Sequence, residues 1–112
     1  MRFRSVGVAV GAAVLLFACS GGVSDEELAK FSPSEGGKKV FMARCMGCHA
    51  INGVGGATRG PNLSNVGSRM DQPTLEKFIR DPQSVKPGSR MKALAISDRE
   101  AAAAAAYLAE LK

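Results

Sequence analysis

Cys45-Met46-Gly47-Cys48-His49 frames the whole chain. Two thiols three positions apart, followed directly by an imidazole, serve three chemistries. A dithiol redox pair belongs in a strand–helix–strand setting, and no segment around Cys45 alternates as a strand does. A structural zinc site needs four ligands. The chain has one histidine and three cysteines, the third of them far away at Cys19. Covalent haem attachment is the use that fits. Cys45 and Cys48 would add to the two vinyl groups on one edge of the porphyrin, which places His49 under the iron as proximal ligand.

His49 being the only histidine excludes bis-histidine ligation within the chain, and a second haem has neither motif nor ligand. A methionine sulfur is the remaining ordinary sixth ligand; it favours reduced iron and raises the potential. Met42 and Met46 lie on the segment that bears the proximal ligand, so the chain cannot carry them to the opposite face. Met91 stands in a turn-rich loop suited to presenting a ligand. Met70 stands just before a helix start, where packing is the usual role of methionine. The order favours Met91 and leaves Met70 as the alternative.

Helix signals flank this centre. Ser32-Pro33-Ser34-Glu35 is a capping box with proline at the first helical position. Gly37, Phe41 and Cys45 recur every four residues, hence on one face, and bring the first haem cysteine to the helix end. Ile51 to Asn65 is dense in turn formers and predicts irregular chain; no strand precedes its glycines, so a phosphate loop is excluded. Leu75, Phe78 and Ile79 predict a helix over Gln72–Asp81, stopped by Asp81-Pro82. An extended loop is expected from Gln83 to Leu94. Ser97-Asp98-Arg99-Glu100 is a second capping box. It opens a last helix that runs through six alanines, the best helix formers, to Lys112. Tyr107, Leu108 and Leu111 follow its apolar side. The fold class expected is all-α.

The N-terminus carries a different signal. Arg2 and Arg4 precede an apolar run from Val6 to Phe17 of about 12 residues, against roughly 20 needed to cross a bilayer. A cleaved export signal over residues 1–18 is expected. Leu16-Phe17-Ala18-Cys19 resembles a bacterial lipoprotein signal, although Phe17 is bulkier than the residue usual there. In such proteins the cysteine is acylated and becomes the new N-terminus, which would account for the odd third cysteine. Residues 19–33 read as a tether in which Ser24 and Glu27 cap a helical turn. An exported, lipid-anchored protein on the periplasmic side of a membrane, or on the outer face of the cell membrane, is therefore expected.

Without Arg2 and Arg4, 13 of the 15 Lys and Arg remain against 10 Asp and Glu. Two haem propionates roughly cancel that excess. With no basic run, one Tyr and no Trp, nucleic-acid binding is not expected. Phe3 and Phe17 fall in the leader and Phe31 in the tether, leaving Phe41, Phe78 and Tyr107 for a small domain. Such a core is thin without a staple or cofactor, and a haem would supply the missing apolar mass.

Gly37-Lys38-Lys39-Val40-Phe41 with Cys45 to His49 resembles the opening of class I cytochromes c. Gly60-Pro61-Asn62-Leu63, the stretch from Phe78 to Met91, and Ser97-Asp98 with Tyr107, Leu108 and Leu111 are similar to that family's later elements. The likeness covers residues 34–112, which are expected to form three to four helices around one covalent haem c. It implies a carbonyl at or beside Pro61 accepting the Nδ1 proton of His49. It also implies Met91 as sixth ligand, and a crossing of first and last helices where Gly37 and Phe41 meet Tyr107. The family commonly has proline after the ligand methionine; here Lys92 stands there, and the loop is expected to be more mobile. One-electron transfer is implied, with no catalysis of its own and no small-molecule substrate. The alternative is a dedicated electron-transfer subunit of a larger oxidoreductase. Partners are expected to be redox proteins with an acidic surface, met by a collar from Lys38, Lys39, Arg59, Lys86, Arg90 and Lys92.

Overall fold

The computed structural model describes residues 22–56 and 59–112, together with Gly7 and Gly11. The export signal, Cys19 and the first tether residues otherwise lie outside the described residues. Five α-helices form among those described: α1 (Asp25–Leu28), α2 (Pro33–Val40), α3 (Gln72–Arg80), α4 (Pro82–Val85) and α5 (Asp98–Ala109). There is no strand among the described residues; Ile51 and Val54 meet in a single isolated bridge. The fold is the all-α one expected.

The helix ends follow local chemistry. Both capping boxes form, at Ser32 with Glu35 and at Ser97 with Glu100, satisfying backbone donors that the first helical turn leaves unpaired. Asp71 caps α3 by accepting the Thr74 N–H at 2.9 Å, and the Thr74 hydrogen bonds hold its carboxyl below the usual range. The expected extended loop after α3 begins instead with the one-turn helix α4. Pro82 suits a first helical position, where no N–H is needed.

α2 and α5 pack against each other at the centre of the fold. α5 buries Ala101, Ala104, Ala105 and Leu108, spaced to fall on one helical face. A Cβ at Gly37 would strike the Ala103 carbonyl oxygen and stand 2.6 Å from Tyr107 Cβ. Phe41 and Tyr107 meet with ring centroids 6.3 Å apart, tilted by 55°, within the range of favourable aromatic pairs. The expected crossing of first and last helices is thus present. Alanines that looked like helix formers also let the two backbones approach. Arg80 joins α3 to the start of α5 by an ion pair with Asp98 at 2.9 Å.

Residues 19–33 were expected to be a tether, and from Gly22 onward they are not. Ser24 caps α1 as foreseen, but Val23 and Leu28 are buried in the core cluster. The Val23 N–H donates to Glu100 Oε2 at 3.1 Å, and Ser97 Oγ donates to Asp25 Oδ1 at 2.8 Å. Arg44 Nε lies 3.9 Å from the same Glu100 oxygen. Glu100, buried with 6 % exposure, therefore holds the N-terminal segment as well as capping α5. The physical reason is burial: two apolar side chains and a paired carboxylate leave water together. Leu28→Ala is expected to cost about 2–3 kcal/mol in denaturant unfolding, as truncation of a core leucine does. A change below about 0.5 kcal/mol, typical of exposed positions, would mean that the segment is loose in solution.

Candidate haem site

α2 does not run straight into the haem motif. Its last turn widens into a π-helical turn over Phe41–Cys45, closed by the Met46 N–H on the Phe41 carbonyl at 3.0 Å. Such wide turns recur at functional sites. The Cys45 carbonyl then accepts from Cys48 N–H at 3.2 Å and from His49 N–H at 3.0 Å. The segment is thereby wound tightly enough to present two thiols and an imidazole together. The two cysteines form no disulfide with each other; Cys45 is buried and Cys48 half-buried. Burial pushes the Cys45 thiol up to about 11, with the Arg44 charge acting the other way.

The irregular chain after His49 folds back over this segment. Gly56 N–H donates to the Met46 carbonyl at 2.7 Å, Gly60 N–H to that of Cys48 at 2.9 Å, and Leu63 N–H to that of Ala50 at 2.8 Å. Asn52 and Gly53, with φ of 49° and 81°, make the reversal as a mirror-image turn that asparagine and glycine tolerate. The Asn52 N–H is held by Ser64 Oγ at 2.7 Å. Pro61 arrives beside the imidazole, and its carbonyl oxygen lies 2.8 Å from His49 Nδ1. A carbonyl only accepts, so Nδ1 carries the proton and Nε2 keeps its lone pair for a metal.

Gly60 was read as a turn former and as part of the Gly60–Leu63 family likeness, with no contact to His49 expected of it. A Cβ there would stand 2.5 Å from His49 Nδ1 and 2.9 Å from Nε2, so the position is bare because the imidazole lies against it. Gly67 is another glycine whose role the pattern did not show. Its N–H donates to the Leu111 carbonyl at 2.7 Å, and its own carbonyl accepts from Lys112 Nζ at 3.0 Å, tying the end of the chain to the loop before α3.

The two methionine candidates have different surroundings. Met70 packs against the core cluster. Met91 is half-buried in the irregular segment before α5, its N–H held by Ser89 Oγ at 3.3 Å. All six residues of the expected collar, Lys38, Lys39, Arg59, Lys86, Arg90 and Lys92, are exposed. Lys39 is engaged within the fold, 3.8 Å from Glu27 and with its ammonium 4.6 Å from the centre of the Phe31 ring. Two thiols that can add to the haem vinyl groups and one imidazole whose Nε2 can hold the iron are the groups that a c-type haem requires.

The cytochrome c family matches residues 34–112. The chain belongs to that family. Cytochrome c-551 of Bacillus subtilis is 34% identical over 106 residues, covering 88% of this chain and 87% of that protein. A cytochrome c oxidase subunit 2 of Alkalihalophilus pseudofirmus is 41% identical over 86 residues, covering 68% of this chain. The same subunit of Bacillus sp. strain PS3 is 34% identical over 67 residues. The chain spans only 25% and 19% of the length of these two oxidase subunits. The protein is a class I c-type cytochrome that carries a covalent haem through Cys45 and Cys48. The family match begins at residue 34, beyond the docked segment of Val23 and Leu28.

Proposed function

We propose that this cytochrome is a one-electron carrier with His49 and Met91 as axial ligands and no reaction of its own. In this reading it is held by a lipid on Cys19 at the periplasmic side of a membrane, or at the outer face of the cell membrane, in a respiratory or related chain. The observation that carries the ligation is the His49–Pro61 contact in a chain with a single histidine. The contact engages Nδ1 and so supports Nε2 as the ligand to iron, and the lack of a second histidine supports a methionine as the other ligand. Met70 packs against the core cluster, whereas Met91 stands in the irregular segment before α5, which supports Met91. The haem would supply ferric–ferrous cycling, and with His49 and Met91 both holding its iron the chain would leave no open site for a substrate. A redox titration that follows a single one-electron curve, with a diacylglyceryl mass on the Cys19 peptide of the membrane fraction, is the expected result. An unmodified Cys19 would overturn the anchor, and a coordination position that binds carbon monoxide readily would overturn the carrier.

The partner is read as a redox protein with an acidic surface. Lys86, Arg90 and Lys92 are exposed on the segment that carries Met91, and like charges grouped around a redox centre steer association. Lys86→Glu with Arg90→Glu is expected to slow bimolecular electron transfer about tenfold at low salt and to flatten its salt dependence. Stopped-flow rates against ionic strength measure this, and unchanged rates would remove the collar. The likeness to oxidase subunits favours a second reading, a dedicated electron-transfer subunit of a larger oxidoreductase. Copurification with such a complex in mild detergent, rather than recovery as a lone monomer, would select it.

A further inference from the structure

We propose that Gln83 is a positioning residue for Met91, its side-chain amide bracing from α4 the turn that leads to the ligand. The inference rests on Met91 being the sixth ligand. Lys86-Pro87-Gly88-Ser89 is a tight turn closed by the Ser89 N–H on the Lys86 carbonyl at 3.0 Å. Pro87 at its second position and Gly88 at its third, with φ of 81°, suit a type II turn. The Gln83 amide spans the far side of that turn. Its Oε1 accepts from the Gly88 N–H at 3.0 Å, and its Nε2 donates to the Ser89 carbonyl. The chemistry fixes the orientation of the amide, since an N–H must meet oxygen and a carbonyl must meet N–H. Ser89 then passes the constraint on, because its Oγ accepts the Met91 N–H at 3.3 Å.

The other side of Met91 has little to hold it. Lys92, Ala93 and Ala95 are exposed, and residue 92 is not a proline that would fix the backbone. Gln83 itself is anchored at the start of α4, where the Lys86 N–H donates to the Pro82 carbonyl at 2.9 Å and Pro82 is buried. The path runs from a buried helix start, through one amide, to the backbone next to the ligand. Only glutamine serves at this position. Glutamate has the same length but sets a carboxylate oxygen against the Ser89 carbonyl, where the amide supplies a donor.

The test is the rate at which the methionine leaves the iron, read as the limiting rate of imidazole binding to the ferric holoprotein at saturating imidazole. Gln83→Ala and Gln83→Glu are both expected to raise it about tenfold, the scale of one or two lost hydrogen bonds. Hydrogen exchange at the Gly88 amide should accelerate in Gln83→Ala while α2 and α5 amides keep their protection. The Fe–S charge-transfer band should persist at neutral pH in both variants. A limiting rate within twofold of the parent in both variants would overturn the proposal, as would restoration of the parent rate by glutamate. Met91→Ala in the same assay separates the underlying reading. If that variant keeps the band, the ligand assignment fails; if it loses the band while the Gln83 variants match the parent, only the bracing role fails.

Discussion

Met91→Ala is expected to abolish the Fe–S charge-transfer absorption and to open the sixth position of the iron to external ligands. Ferrous protein should then bind carbon monoxide, and ferric protein cyanide, with affinities raised by orders of magnitude, because no internal sulfur competes. The potential should fall as well. A thioether favours the reduced iron, and water or hydroxide in its place favours the oxidised one. Folding should be little affected, since Met91 is half-buried in an irregular segment outside the main core cluster. Absorption spectra with carbon monoxide and cyanide, and a potentiometric titration, measure the three effects. If Met70→Ala produced them instead, the assignment would pass to Met70; that variant is expected to lose stability and keep the absorption, because Met70 packs on the core.

The second large effect is expected of Gly60→Ala. The added Cβ would lie 2.5 Å from His49 Nδ1 and 2.9 Å from Nε2, distances that atoms not bonded to each other do not hold. The backbone cannot simply retreat, because the Gly60 N–H is bonded to the Cys48 carbonyl at 2.9 Å and the next residue is a proline with fixed φ. Either the imidazole rotates and leaves the Pro61 carbonyl, or the loop lifts and releases Cys48. Overpacking of this kind costs about 1–3 kcal/mol, and the lost hydrogen bond adds about 1 kcal/mol. Where haem is incorporated, the potential should rise, since the carbonyl bonded to Nδ1 makes the imidazole a stronger donor to ferric iron. Yield of haem-stained protein, thermal unfolding and a redox titration test this. Wild-type values in all three would mean that the loop accommodates a methyl group without disturbing His49.

These residues also show how far the sequence could be read. The haem motif, both capping boxes and the helix starts at Pro33, Gln72 and Asp98 were legible because each depends on groups within about four positions of one another. Gly37 and Pro61 were legible only through the family likeness, which carries the outcome of a fold already solved by selection. Gly60 looked like one more turn former, and residues 22–33 looked like a tether. In both cases the deciding neighbour is distant along the chain, His49 for the first and Glu100 for the second.

By itself the sequence determined the chemistry of the centre: two thiols and one imidazole in one motif, a single histidine, and no second site to share the iron. It also determined where helices begin, because caps and proline act locally. The tertiary structure decided what surrounds that chemistry. It brought the Pro61 carbonyl to Nδ1 and kept residue 60 bare against the imidazole. It set Met70 against the core cluster, and it turned the expected tether from Gly22 onward into a packed segment held by Glu100. The reason is physical. A cap or a haem motif is completed by neighbours on the same turn, whereas a packing contact exists only once distant segments have met and excluded water. The Cys45–His49 motif announces the haem, and the long-range contacts set how its proximal ligand is held.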